Sequence, residues 1–316
     1  MNISICITAL NEEGTIAPLL DSLLNQSKKA QEIVIVDAGS TDKTQEIIRH
    51  YQKKHGDIKL LIEKCSRAKG RNLSIEIAKG DVIAITDAGC VADIDWLKKI
   101  TAPFVTGRVD VVAGFYKMVS DDSLGKAMSV FLGVMPRKFD VNFLPSTRSI
   151  ALTKKIWVDV GGFPENVEGT AEDTMFNYKL IKEGIKISRV KDAIVEWGMP
   201  KTIKSFQLKI YNYAKGDAKS KLWIFPGKGL TSHNIKALFV LLRYMLGTSL
   251  LIYSIKFPPL LTYLVILLFA YFYWSFRKIQ NSFGDWRVTV WGPILQIASD
   301  ISVIRGFLSG ILSKND

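Results

Sequence analysis

Residues 257–276 form a run of 20 positions without a single charge. As an α-helix such a run is about 30 Å long, the thickness of a bilayer's hydrocarbon core. The stretch before it, 237–255, is also apolar except for Arg243 near its start, a side chain long enough to snorkel toward an interface. Lys256-Phe257-Pro258-Pro259 breaks the two apart, so residues 237–276 read as a transmembrane helical hairpin. Two buried helices of a soluble core are a poor alternative, because nothing polar lines either face of the second segment.

Lys and Arg number 42 against 30 Asp and Glu, a net charge of +12. The region 201–236 supplies +7 of it, with eight lysines against Asp217 alone, and Phe206, Tyr211, Tyr213, Trp223 and Phe225 interleave them. A solvated helix face is the ordinary reading of such a run, but this one abuts the hairpin and reads as a basic juxtamembrane segment facing anionic lipid. That position disfavours nucleic acid as the partner. Arg277 and Lys278 close the hairpin on the same side as the lysines, and the positive-inside rule places that side in the cytoplasm. A third segment, 287–312, carries Ile294, Ile297, Ala298, Ile301, Ile304, Leu308 and Ile311 at helical spacing among polar residues. It reads as an amphipathic interfacial helix or a third membrane helix, the first being favoured.

Residues 1–200 have a different texture. Short β-rich apolar runs at 3–8, 33–36, 58–62 and 82–86 alternate with helical patterns at 16–26, 42–51, 68–78 and 96–104. Alternation of this kind builds βαβ units on a mostly parallel sheet with helices on both faces, an α/β domain. The N-terminus lacks a basic n-region and a small-residue cleavage site, so this domain is expected to stay unexported. Cys6, Cys65 and Cys90 form no C-x-x-C pair, which argues against structural zinc and a disulfide framework. His50, His55 and His233 lie away from the acidic clusters and receive no role.

Each apolar run ends in polar residues, where open α/β sheets bind ligands. The first is followed by Asn11-Glu12-Glu13 and the second by Asp37-Ala38-Gly39-Ser40, so Glu12 and Asp37 become neighbours if their strands pair. Carboxylates there suit ribose hydroxyls or a base N–H, although Asp37 and Ser40 alone could equally organise a turn. Arg71 opens a helix and offers a fork of donors to phosphate, while Asp87 ends the fourth run, where an acid can hold a divalent ion bridging a diphosphate.

Six pieces then occur in one order: I-T-A-L-N-E-E at 7–13, V-D-A-G-S-T-D at 36–42, A-K-G-R-N-x-x-I-x-x-A-K-G-D at 68–81, T-D-A-G at 86–89, V-G-G-F-P-E at 160–165 and A-E-D-T-M-F-N-Y-K-L at 171–180. With them the sequence resembles the family 2 glycosyltransferases of GT-A fold, over nearly all of its first 220 residues. The resemblance implies a donor site for a nucleotide-diphospho-sugar made by Thr8, Glu12, Asp37, Gly39, Arg71 and Asp87. It implies Asp173, beside Glu172, as the general base on the acceptor hydroxyl, an acceptor side shaped by Gly162, Phe163 and Trp197, and a divalent metal, Mg or Mn, on Asp87. Trp197 fits an aromatic interface belt as well.

Three departures qualify that picture. The metal motif D-x-D is Asp87-Ala88-Gly89, so its second carboxylate is missing and the metal is in doubt, with Asp93 or Asp95 as substitutes. The usual proline of the first motif is Thr8, which leaves the nucleotide's base open. The Q-x-x-R-W motif of processive synthases is absent after Asp173, favouring transfer of a single sugar. The expected function is therefore a membrane-associated inverting glycosyltransferase acting on a lipid-linked or membrane-proximal acceptor. A transferase with a soluble acceptor, or a non-catalytic nucleotide-sugar binding or scaffold protein, is the alternative.

Overall fold

The computed structural model describes residues 1–107, 109–165, 171–224 and 232–313. Along these run β1 (Ile3–Ala9), α1 (Ile16–Leu24), β2 (Glu32–Asp37), α2 (Thr44–Lys54), β3 (Ile58–Ile62), α3 (Arg67–Ile77), β4 (Val82–Ile85), β5 (Cys90–Ala92), α4 (Trp96–Thr101), β6 (Val111–Val119), α5 (Ser123–Leu132) and β7 (Ile150–Thr153). Then follow α6 (Lys154–Asp159), α7 (Glu172–Lys182), β8 (Ile187–Gly198), α8 (Ile203–Ser220), α9 (His233–Lys256), α10 (Pro259–Phe283), α11 (Trp286–Thr289) and α12 (Gly292–Leu312). The chain divides into two compact units, Met1–Met118 with Pro136–Gly198, and Val119–Met135 with Met199–Asp316.

The first unit is built on one sheet in the order β3-β2-β1-β4-β7-β6-β8-β5. β1, β2, β3 and β4 run parallel, and β1, β2 and β4 are apolar and buried along nearly their whole length, as strands covered on both faces must be. This half is the one the alternating pattern predicts. The other half is antiparallel, β4 with β7, β7 with β6 and β5 with β8, so the sheet is mixed. Helices separate these strands in sequence too, but alternation by itself does not announce that they pair antiparallel.

Register puts the carboxyl ends of β1, β2 and β4 on one edge: Ala9 pairs with Asp37 and Cys6 with Ile85. The loops leaving β1 and β2 are laced together. Asn11 N–H donates to Ser40 Oγ at 2.9 Å, Thr41 N–H to Asn11 Oδ1 at 2.9 Å and Glu12 N–H to Thr44 Oγ1 at 2.7 Å. α3 comes close to β1 because Gly70 has no side chain; a Cβ there would stand 2.5 Å from Thr8 Cγ2. Ser66 caps this helix by accepting from Lys69 N–H at 3.2 Å. Its inner face joins Cys6, Ile83, Ile85, Phe163 and Phe176 in a shared core.

In the second unit half of the lysine-rich stretch forms α8, opened by a capping box between Thr202 and Ser205. Phe225 and Lys228 of that stretch lie outside the described residues. The hairpin is present as α9 and α10, turned at Phe257 and Pro258, and α10 ends on Gly284 at φ +68°, a left-handed position that suits glycine. Among the described residues three helical segments are long and apolar enough to cross a membrane: His233–Lys256, Pro259–Phe283 and Trp286–Leu312. They are not alike. The most apolar window of each of the first two is 6% buried, against 50% for the third.

The difference has a cause. α12 lies along α8: a Cβ at Gly310 would stand 2.6 Å from Ala218 Cβ, one at Gly306 would stand 3.0 Å from Ala214 Cβ, and Tyr211 donates to Ser309 Oγ at 2.9 Å. Small residues four apart let two helix backbones touch. Ile294, Ile297, Ile301, Leu308 and Ile311 remain exposed on the other face. α12 is thus two-sided, as its spacing predicts, but one side is occupied by protein. α9, α10 and α12 meet at Asp300, whose Oδ2 accepts from Arg243 at 2.5 Å, Tyr271 OH at 2.5 Å and Tyr244 OH at 3.1 Å, while Oδ1 takes Gln296 Nε2 at 2.9 Å.

Candidate active site

The sheet edge of the first unit gathers the charged side chains that the motifs single out, and Arg71 is their hub. It lies in the second turn of α3, is buried, and donates through Nη1 to Glu172 Oε1 and through Nη2 to Asp87 Oδ1 at 2.9 Å. One guanidinium therefore joins the end of β4 to the start of α7. Burial works against its charge, yet Asp87 and Glu172, with Asp173 behind them, hold its pKa above the ordinary arginine value. Arg67 adds a second cation 3.6 Å from Glu172 Oε1. The other oxygen of Glu172, Oε2, is buried without a hydrogen-bond partner among the described residues.

Asp173 follows Glu172 in the first turn of α7, half-buried, with Oδ1 accepting from Thr174 N–H at 2.7 Å. Burial and the adjacent Glu172 push its carboxyl up to about 6; Asp87 adds to the push, while Arg71 and Arg148 oppose it. A carboxylate so placed is a better proton acceptor than a solvated one and is still ionised at neutral pH. Asp87 goes the other way. Burial alone would raise it, but Arg71, Arg148 and Arg67 outweigh burial and hold it below the usual carboxylate range.

Glu12 reaches the same place from β1, with its Oε2 3.9 Å from where a Cβ on Gly89 would lie. Thr15 Oγ1 donates to that oxygen. Asp37, one strand further out, is fully buried and turned into its own loop: Oδ1 accepts from Ser40 N–H at 2.8 Å, Gly39 N–H at 3.1 Å and Gln45 Nε2 at 2.8 Å, and Oδ2 from Ser40 Oγ at 2.6 Å. Of the two uses open to Asp37, the turn is built. Gly39 sits at φ +95° in that turn, where only glycine is at ease. Thr8 supports Gly70, and its Oγ1 is buried without a partner among the described residues.

Gly162 and Phe163 are fixed by Asn72, whose amide donates to Phe163 O at 2.8 Å and accepts from Phe163 N–H at 2.9 Å. Phe163 is a core side chain, stacked on Phe176 at 4.2 Å and lying under Arg71 at 5.8 Å. Trp197 is buried on β8 beneath the guanidinium of Arg148, 3.8 Å from the ring centre, so a place in an interface belt does not hold. Arg148, absent from the motif reading, is the residue this geometry adds. Its sequence signal is faint: an arginine among small polar residues, Ser146-Thr147-Arg148-Ser149, just ahead of β7.

The donor set for a divalent ion is thin. Asp87 is one carboxylate, already on Arg71, and position 89 has no side chain. Asp93 and Asp95 lie just ahead of and at the start of α4, Asp93 with Lys99 at 3.4 Å and Asp95 with Ser27 at 2.6 Å. Among the described residues no three His, Cys, Asp or Glu are grouped so as to hold a metal. A cation here would have Asp87 as its protein carboxylate, with the remaining ligands left to the donor's diphosphate, and no step below passes through one.

A half-parallel, half-antiparallel sheet with acids and an arginine at its switch edge defines the class: a GT-A transferase of nucleotide-diphospho-sugars. The fold matches the mannosyltransferase PcManGT from Pyrobaculum calidifontis, solved with GDP-Man and Mn2+, at a TM-score of 0.53 and 20% identity, over 69% of this chain and 62% of that one. The sequence model of glycosyl transferase family 2 matches residues 4–162, and the chain belongs to that family. It is a glycosyltransferase, which sets the scaffold alternative aside. Among characterised relatives it is 28% identical over 261 residues to the dolichyl N-acetyl-alpha-D-glucosaminyl phosphate 3-beta-D-2,3-diacetamido-2,3-dideoxy-beta-D-glucuronosyltransferase of Methanococcus voltae, covering 71% of this chain and 77% of that protein. It is 23% identical over 253 residues to glycosyltransferase AglE of Haloferax volcanii, covering 77% and 81% respectively.

Proposed function

We propose that this enzyme is a membrane-bound, inverting glycosyltransferase that moves one sugar from a nucleotide-diphospho-sugar to a lipid-linked acceptor, with Asp173 as general base. The observation that carries the reading is the pairing at the start of α7. Glu172 is committed to Arg71, while the adjacent Asp173 has a carboxyl raised to about 6. Two neighbouring acids in opposed environments divide the work: one holds the cationic hub, the other takes a proton.

In the reaction the acceptor hydroxyl gives its proton to Asp173 while its oxygen attacks the anomeric carbon from the face opposite the diphosphate, inverting that centre. The departing diphosphate carries off the electron pair of the broken bond, and the arginines at the sheet edge stabilise its charge. At ~4 Å and an effective dielectric of ~20, each such charge pair is worth roughly 4 kcal/mol.

A lipid-linked acceptor is supported by the apolar hairpin, and by the Methanococcus relative, whose name specifies a dolichyl-phosphate-linked acceptor. A multi-pass protein with its catalytic unit in the cytoplasm is supported by the lysines of α8 and by Arg277 and Lys278 flanking the hairpin. Asp173→Asn tests the chemistry: turnover should fall about 10²- to 10⁴-fold while donor affinity stays within a factor of two or so. Turnover at the native rate would remove Asp173 from the role.

A further inference from the structure

α12 belongs to a segment long and apolar enough to cross a bilayer, but the residues it touches fix its direction. Its first residue, Gly292, packs against α10: a Cβ there would stand 2.6 Å from Ser275 O. Towards its other end, Phe307 shares a buried cluster with Ala237 of α9 and Ala218 of α8. Gly292 and Phe307 are 15 positions apart, about 22 Å of helix. Their partners, however, lie at nearly one depth in the hairpin. Ser275 is 17 positions past Pro258 and Ala237 is 20 positions short of Phe257, a difference of about 5 Å along the arms. Asp300, between them, meets Arg243 and Tyr271, 14 and 13 positions from the same turn. α12 therefore lies across the open end of the hairpin. A third span running alongside the arms would bring Phe307 close to the turn instead.

α8 gives the same direction independently. Its Phe206 meets the ring of Phe131 at 5.8 Å, the ring over which Lys278 of α10 lies at 3.7 Å, and Asp217 O accepts from Asn234 of α9 at 2.7 Å. This helix too bridges the arms at their open ends. With Lys204, Lys209, Lys215 and Lys219 in 18 residues it is too charged to enter hydrocarbon. α12 runs along it in the same sense, Gly306 on Ala214 and Gly310 on Ala218. On the face opposite these glycines, Ile294, Ile297, Ile301, Leu308 and Ile311 are exposed. An apolar stripe on one helix, with a lysine-rich helix packed behind it and an apolar hairpin beside it, matches the boundary between acyl chains and anionic headgroups.

We propose that α12 does not cross the membrane but lies flat in the interface of the cytoplasmic leaflet, with its isoleucine stripe on lipid and its opposite face on α8. The end of α12 then stays on the side of the α8 lysines. The inference rests on the hairpin being in the membrane.

The test is the depth of nitroxide labels in the full-length protein, reconstituted in vesicles of phosphatidylcholine and phosphatidylglycerol and read from accessibility to oxygen against a water-soluble nickel chelate. Cys6 and Cys90 are buried, so a Cys65→Ala background suffices for single labels at Ile294→Cys, Ile297→Cys, Ile301→Cys, Leu308→Cys and Ile311→Cys. All five should lie at one shallow depth, about 5–10 Å into the headgroup–acyl boundary. Labels at Leu246→Cys and Leu268→Cys, on the arms, should lie deeper. Depths that rise and fall along α12 with Ile301→Cys deepest would make it a third span and overturn the inference. Labels on the stripe that are wet, or shielded from both reagents by a protein partner such as a second copy, would overturn it as well. In each of these cases deep labels at 246 and 268 leave the membrane reading standing, whereas wet labels at those two positions would defeat that reading itself.

Discussion

At the residue scale, the raised carboxyl of Asp173 has consequences for activity and for stability, and they have opposite signs. As the proposed base it must be ionised, so kcat/KM should climb with pH through about 6 and level off above it. The folded protein, however, holds that proton more tightly than the unfolded chain does. The stability Asp173 provides is therefore present below the ordinary aspartate range and is lost as pH rises through about 6. Asp173→Asn, which cannot ionise, should melt a few degrees above wild type at pH 8 and level with it near pH 4, in thermal scans of inactive and active protein side by side. A variant less stable than wild type at pH 8 would contradict the assignment. The motif acids and Arg71 were legible from sequence because each follows a strand and each sits in a short, ordered phrase. Arg148 was not, since its partner Trp197 lies 49 positions along the chain and is brought to it only by the antiparallel strands. Phe163 was legible as part of a phrase, but its burial against Phe176 was not.

At the scale of elements, two helix contacts depend on glycines that touch backbone or short side chains. Gly70→Ala pushes α3 away from Thr8 and, through Arg71, shifts the hub. It should cost about 1–3 kcal/mol by denaturant unfolding, as overpacking does, with a larger loss in turnover than in donor affinity. Gly306→Leu or Gly310→Leu should separate α12 from α8, seen as faster proteolysis of the chain after Ser220, whereas Ile297→Leu on the exposed face should leave cleavage unchanged. The helical repeat of apolar residues in α12 could be read in advance. That its opposite face is made of small residues could also be seen, but not which helix they meet, because spacing identifies a face without naming its partner.

At the scale of the whole molecule, the membrane portion is held by one acid. Asp300 takes hydrogen bonds from Arg243, Tyr244, Tyr271 and Gln296, side chains of all three apolar helices. Asp300 is buried while Arg243 is partly exposed, so removing the arginine leaves a buried acid short of its cation, a greater loss than replacing both by apolar groups. Arg243→Ala should accordingly lower the melting midpoint in detergent far more than the double change Arg243→Met with Asp300→Leu. A single variant as stable as wild type would show that the network carries no weight. From sequence Arg243 was a lone charge near a helix start with an interface to reach; its acid lies 57 positions later in a segment whose own nature was undecided, so the pair could be seen only once the helices were packed.

Arg243 and both tyrosines leave the ribosome well before Asp300 does, so on the proposed membrane-spanning reading the hairpin reaches lipid with its donors unanswered. Insertion is then finished from the C-terminal side: a nascent chain arrested ahead of position 300 should carry an uncompensated cation in the bilayer and be handed to quality-control proteases, while one that extends through α12 closes its own lock.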